Sequence, residues 1–208
     1  MARIGILGGT FNPIHHTHID LARAAASYAS LTALILMPSG VSYLKDPHEI
    51  ASKEDRYQMA LLAAKNLPGA MVSRMELDRK GNSYTYETME TLRLQYPGDD
   101  LYLIMGADNL FSIEHWYRPK RIFAACHLLV AVRDDKDEAD ILQKADDLQR
   151  RFKAQIEPFP FQASSLSSTM IRERIAANLP ITDMVPANVA QYIREHQLYY
   201  DKTNCKTT

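Results

Sequence analysis

Cysteine is scarce in this chain of 208 residues. The two present, Cys126 and Cys205, lie far apart and make no disulfide framework. Net charge is nearly absent as well. The 24 Lys and Arg against 25 Asp and Glu leave −1, so no global field draws the chain to nucleic acid or to an anionic membrane. No apolar run approaches the length of a membrane span, and no basic region followed by an apolar stretch marks a leader. Internal repeats and low-complexity segments are also missing. Two common phosphate-binding patterns are not there. No Gly-Lys-Ser/Thr follows the glycines, which excludes a P-loop. The glycine spacing is Gly5, Gly8, Gly9, and the segment ending in Met37-Pro38-Ser39-Gly40 lacks an acidic residue for a ribose hydroxyl. Both features argue against a dinucleotide-binding oxidoreductase. The expectation is one domain over 1–200, a frayed tail over 201–208 and a cytoplasmic location, with no nucleic acid or membrane partner. Assembly into homo-oligomers stays open.

What is present centres on Gly8-Gly9-Thr10-Phe11-Asn12-Pro13-Ile14-His15-His16-Thr17-His18. Before it, Arg3 to Leu7 is apolar and β-branched and predicts a buried strand. After it, Ile19 to Tyr28 is rich in Ala and Leu and predicts a helix. Adjacent glycines allow close backbone approach to a ligand, and a helix N-terminus favours an anion. His15 and His18, three apart, share a face of the first turn. Neutral imidazoles there can hydrogen-bond phosphate oxygens. Zinc is a rival for paired histidines, but no third ligand sits nearby in sequence.

Further along, strand-like and helix-like segments alternate. Strands are predicted at Ala33 to Met37, Met71 to Leu77, Leu101 to Met105, His127 to Val132 and Ala154 to Glu157. Helices are predicted at Tyr57 to Asn66 behind a Ser52/Asp55 cap, after Ser83-Tyr84-Thr85, at Asp137 to Phe152, and at Val185 to Leu198. Gly106-Ala107-Asp108 reads as a tight turn, and Trp116-Tyr117 as a segment ending near Pro119. Val41 to Ile50 reads as a loop carrying Lys45. Such alternation predicts a doubly wound, Rossmann-like parallel α/β sheet with helices on both faces. In that fold ligands sit beyond the strands' C-terminal ends, at a topological switch point. The glycine turn and His18, then Ser39, Asp108 and Arg133, fall at such ends.

Ser167-Ser168-Thr169-Met170-Ile171-Arg172 opens another helix. A plain N-cap accounts for the hydroxyls. Arg172 near the positive end of a helix dipole is better explained by an anion held with Ser168 and Thr169.

Together these residues carry a resemblance. Gly8 to His18 resembles the G-G-T-F-D-P-x-H-x-G-H signature of the nucleotidyltransferase superfamily, and Ser167 to Arg172 its S-S-T-x-x-R signature. Ser83-Tyr84-Thr85, Gly106-Ala107-Asp108, Trp116-Tyr117 and Gln197-Leu198-Tyr199 are similar to the bacterial nicotinate-nucleotide adenylyltransferase branch, in order and spacing. Three positions depart: Asn12 stands for the usual Asp, Thr17 for a glycine, and Ser42-Tyr43-Leu44-Lys45 for a Pro-Pro-His-Lys-like run.

The resemblance implies adenylyl transfer from ATP to nicotinate mononucleotide, with Mg²⁺ carried on ATP phosphates and no protein metal ligands. It implies catalytic roles for His15, His18 and Arg172. It implies ATP contacts by Gly8, Gly9, Thr10, Phe11, Gly106, Asp108, Arg133, Ser167, Ser168 and Thr169. Acceptor contacts fall to Ser39, Lys45, Thr85, Trp116 and Tyr117. Two rivals stay open: a sister enzyme using phosphopantetheine, nicotinamide mononucleotide or a cytidylyl group, and a non-catalytic nucleotide-binding protein.

Overall fold

The computed structural model describes residues 1–40, 50–132, 135–162 and 164–200. Lys45, Arg133 and the tail 201–208 therefore lie outside the described residues. Six strands form one sheet: β1 (Arg3–Gly9), β2 (Ala33–Pro38), β3 (Ala70–Val72), β4 (Asp100–Gly106), β5 (His127–Val132) and β6 (Ile156–Pro160). Every pairing is parallel, and the order is β3-β2-β1-β4-β5-β6. The inner strands are near-continuous apolar runs because helices cover both faces of the sheet. This is the doubly wound, Rossmann-like arrangement that the alternation predicts.

The eight α-helices of the described residues divide between the faces. On one side α1 (His16–Tyr28), α2 (Lys53–Ala64), α7 (Ser168–Ala176) and α8 (Ala187–Glu195) bury Ile19, Met59, Ile171 and Val189 against the sheet. On the other, α3 (Thr85–Gln95), α4 (Ala107–Ser112), α5 (Pro119–Ala125) and α6 (Asp135–Phe152) bury Met89, Leu110, Ile122 and Leu148. No helix among the described residues is long and apolar enough to cross a membrane.

Several elements differ from the sequence reading. Of the expected Met71 to Leu77 strand only Met71 and Val72 pair, in a strand that starts at Ala70, and Met71 is exposed. An edge strand has one neighbour to bond, and after Val72 the chain turns away, placing residues 75–79 in turn and bend. β6 begins two residues later than expected. Pro119 starts a helix rather than ending a segment, since its fixed φ suits the first helical position. Gly106-Ala107-Asp108 is likewise the start of α4, with Gly106 as its N-cap. The Ser52 cap is present: its hydroxyl accepts the Asp55 N–H at 3.0 Å.

Chain order places a switch at β1. After β1, successive strands step outward to β3, then the chain crosses back to lay β4 on the other side of β1. The crevice between the C-terminal ends of β1 and β4 is where such a sheet offers room to a ligand. Gly40, two residues past β2, packs closely there: a Cβ would collide with the Glu76 carbonyl oxygen and the Ser83 hydroxyl. Gly40→Ala is therefore expected to lower stability by about 1–3 kcal/mol, measured by urea unfolding. A variant as stable as the parent would show that this contact relaxes freely.

Candidate active site

The Gly8–His18 stretch is held from several directions. Phe11 takes φ 50°, and the Asn12–Pro13 peptide is cis. A Cβ on Gly9 would stand 2.7 Å from the Phe11 ring, so glycine is what lets the ring fold back over the turn. Three of the turn's carbonyls find remote donors. Thr10 O accepts from the Arg56 guanidinium (2.8 Å), Asn12 O from Arg172 (3.1 Å) and Pro13 O from the Ser168 hydroxyl (2.9 Å). The Asn12 side chain is buried, and its Oδ1 accepts from the Ala51 N–H (3.0 Å) and the Tyr199 hydroxyl (2.8 Å). Asn12 thus braces the turn against the segment entering α2 and against Tyr199.

The two histidines stack, with ring centroids 3.8 Å apart. His15 is the N-cap of α1, and its backbone N–H donates to His18 Nδ1 at 3.3 Å. An accepting Nδ1 puts the neutral ring's proton on Nε2 and makes that nitrogen a donor. The Phe11 ring packs edge-on to His18 at 5.1 Å and restricts its orientation. Burial, then the neighbouring His16, hold the His15 imidazole at about 4, down from an ordinary 6.5. It is neutral at pH 7.

α7 supplies the second phosphate motif. Ser167 caps it, accepting the Met170 N–H at 3.2 Å. Arg172 is the fifth helical residue and reaches back to Thr169 Oγ1 (3.5 Å) as well as to Asn12. Residues separated by some 155 positions in sequence are therefore joined at one place: Gly8 to His18 and Ser167 to Arg172. Among the described residues neither Arg172 nor Arg56 has a carboxylate within ion-pair distance, and no group of three His, Cys, Asp or Glu could hold a metal.

Beside the turn lies a cleft of about 340 Å³, lined by Gly8, Gly9, Thr10, Ser39, Thr85, Asn109, Trp116 and the buried Met37 and Met105, with Glu76 and Thr88 on its wall. Trp116 is fixed by its indole N–H to Ser112 Oγ (3.3 Å). Of the expected acceptor residues, Ser39, Thr85 and Trp116 line this cleft. Tyr117 does not: its ring lies half-exposed against Tyr84 at 4.8 Å. Asp108, expected among the ATP contacts, is exposed in the first turn of α4 and also stands outside the lining, where Asn109 takes part.

Sequence reasoning passed over Arg56, Glu76 and Thr88. Arg56 is only 2 % exposed and also donates to Ser39 O (2.8 Å) and Ala51 O (3.3 Å), tying the ends of β1 and β2 together. Burial lowers its pKa. Its signal was available: it falls on the Arg56, Met59, Ala60, Ala63 stripe of α2, where a cation is out of place unless bonded. The Glu76 carboxyl is raised by burial, against the opposing Thr88 hydroxyl, Arg79 charge and Gly40 N–H. Nothing local in the sequence marks it.

Comparison with known proteins places this geometry. A cytidylyltransferase-like family model matches residues 6–174, and the chain belongs to that family. Within it, the chain is 39% identical over 199 residues to a Lachnoclostridium phytofermentans protein named "Probable nicotinate-nucleotide adenylyltransferase", covering 96% of this chain and all of that one. A Carboxydothermus hydrogenoformans protein of the same name is 37% identical over 201 residues, covering 95% and 98%. Among solved structures, Plasmodium falciparum nicotinic acid mononucleotide adenylyltransferase complexed with NaAD shares the fold. Its TM-score is 0.77 at 18% identity, over 96% of this chain and 98% of that one.

The buried neutral His15 carries a pH signature. Unfolded, it binds a proton below about 6.5; folded, only near 4. Its contribution is present above 6.5 and is lost as pH falls toward 4, by up to about 3 kcal/mol. The parent is expected to lose thermal stability across that window more steeply than His15→Gln. Parallel melting curves would show that His15 does not titrate there.

Proposed function

We propose that the chain transfers the adenylyl group of ATP to nicotinate mononucleotide, giving nicotinate adenine dinucleotide and pyrophosphate, a step of NAD biosynthesis. The observation that carries this reading is the junction of the two phosphate motifs: Arg172 and Ser168 bonded to the Asn12–Pro13 turn that presents the His15–His18 pair. The shared name of relatives at 39% and 37% identity over almost the whole chain selects the acceptor.

The attacking phosphate oxygen of the acceptor forms a bond to the α-phosphorus, and the bond to the bridging oxygen of pyrophosphate breaks. That phosphate is already ionised, so no protein base is needed. Catalysis reduces to positioning and charge stabilisation. His18 donates from Nε2 to an α-phosphate oxygen, and neutral His15 lies beneath it. Gly8 to Phe11 allow the backbone close to ATP, while Ser167, Ser168, Thr169 and Arg172 hold the β- and γ-phosphates, and Gly106 with Asp108 borders the nucleoside. Ser39, Thr85 and Trp116 take the acceptor, with the pyridine ring near Trp116. Lys45 and Arg133 keep their assignments from sequence. Neither phosphate motif contains an acidic side chain, so the donor set suits phosphate and leaves Mg²⁺ to ATP oxygens and water. When bound, Mg²⁺ withdraws charge from the leaving pyrophosphate. A cytoplasmic location accompanies this reading.

The test is pyrophosphate release with ATP and a panel of acceptors: nicotinate and nicotinamide mononucleotides, and phosphopantetheine. Nicotinate mononucleotide is expected to give the highest kcat/KM. His18→Ala is expected to lower kcat about a hundredfold or more with the fold intact. Near-parental turnover would remove His18 from the reaction, and preference for phosphopantetheine would replace the assigned acceptor.

Asn12 allows a finer prediction. Its Oδ1 already accepts two hydrogen bonds, and an aspartate oxygen accepts the same two. Asn12→Asp is therefore expected to change kcat by less than about tenfold, or about 1.4 kcal/mol of barrier. A larger gain at saturating Mg²⁺ would mean that the family's usual aspartate acts through its charge.

A further inference from the structure

Glu76 is a half-buried carboxylate on the wall of the acceptor cleft. It is held there. Thr88 Oγ1 donates to its Oε1 at 2.8 Å, and the Arg79 guanidinium steadies Thr88 from behind at 3.2 Å. A carboxylate has about four lone-pair sites, and the Thr88 bond accounts for one. Next to Gly40 in the chain is Ser39, whose hydroxyl is buried and has no hydrogen-bond partner among the described residues. An orphaned buried hydroxyl beside a carboxylate with spare acceptor capacity calls for a ligand that brings hydroxyl groups.

Position narrows the ligand. Ser39 N–H bonds to Gly9 O at 2.8 Å, which puts Ser39 next to the phosphate turn. Glu76 bonds to Thr88, one helical turn from Thr85, which lines the same cleft as Trp116. Ser39 and Glu76 thus stand between the phosphate-binding end and the aromatic end. In a mononucleotide the group between phosphate and base is the ribose. We propose that Glu76 and Ser39 bind the ribose diol of the acceptor mononucleotide, with Glu76 accepting from one hydroxyl and Ser39 pairing with the other. This rests on the acceptor reading above and assigns its sugar subsite to residues distinct from Asp108.

The test compares nicotinate mononucleotide with its 2′-deoxy and 3′-deoxy forms, in the parent and in Glu76→Ala and Glu76→Gln. In the parent, at least one deoxy acceptor is expected to have a KM raised about tenfold or more, the usual cost of losing a hydrogen bond to a charged group. Glu76→Ala is expected to raise KM for the ribose acceptor and to erase the deoxy penalty, with KM for ATP within about twofold of the parent's. Glu76→Gln keeps the volume and an oxygen for Thr88, so it is expected to melt with the parent and show a reduced penalty. A parent indifferent to both deoxy forms overturns the assignment, whether or not the variants fold. So does a penalty equal in the parent and Glu76→Ala. A parent inert toward nicotinate mononucleotide itself fails the acceptor reading instead.

Discussion

The peptide between Asn12 and Pro13 is the point on which the site depends. Three carbonyls in four residues, those of Thr10, Asn12 and Pro13, accept from Arg56, Arg172 and Ser168. The donors come from α2 and α7, and the Asn12 side chain adds Tyr199 from the end of the described chain. Each such bond contributes only about 1 kcal/mol net, but a buried partner left unpaired costs more than that. The turn therefore holds one shape because three separate segments, α2 with its approach, α7 and Tyr199, agree on it. That shape sets His15 against His18 and Phe11 edge-on to His18. A glycine turn alone would leave the histidines free to rotate.

The same bonds set the charge of the place. Arg56 and Arg172 spend their hydrogen bonds on carbonyls, which carry no net charge to cancel theirs. Their positive potential stays at the turn, next to a helix N-terminus of the same sign. His15 and His18 add donors without a further permanent charge, and burial keeps His15 neutral. Two more cations in that volume would repel Arg172 and one another. Fixed donors around an uncompensated guanidinium suit a polyphosphate that arrives with its own charge.

What could be read from the sequence was local. Strand β1, its glycine turn, the start of α1 and the cap of α7 each show in a dozen residues, because dihedral needs and capping chemistry act at short range. Alternation predicted the doubly wound parallel class, while the order β3-β2-β1-β4-β5-β6 is known only from the structure. Edge strand β3 was overextended, since alternation of Met71, Met75 and Leu77 cannot reveal that pairing stops at Val72. Tyr117 was assigned to the acceptor through the family motif it shares with Trp116, but its ring packs on Tyr84 outside the cleft lining. Arg56, Glu76 and the Asn12–Tyr199 bond depend on chain segments meeting in space, and no local pattern records that.

The strand order also explains why the two halves of the site differ in character. On the β2 and β3 side of β1, the segment running from Val72 to Ser83 folds back so that Glu76 and Ser83 line the cleft with Ser39 and with Thr88 of α3, and that wall is polar and enclosed. On the β4 and β5 side, Gly106 leads straight into α4 and leaves Asp108 exposed. An enclosed wall can select an acceptor by leaving polar groups unpaired when the wrong one binds. An open rim cannot discriminate in that way and suits a nucleotide gripped mainly by its phosphates. The glycines at the end of β1 belong to both halves. A reaction that joins two substrates through one phosphorus atom needs such a boundary, and a sheet whose order reverses at β1 provides it.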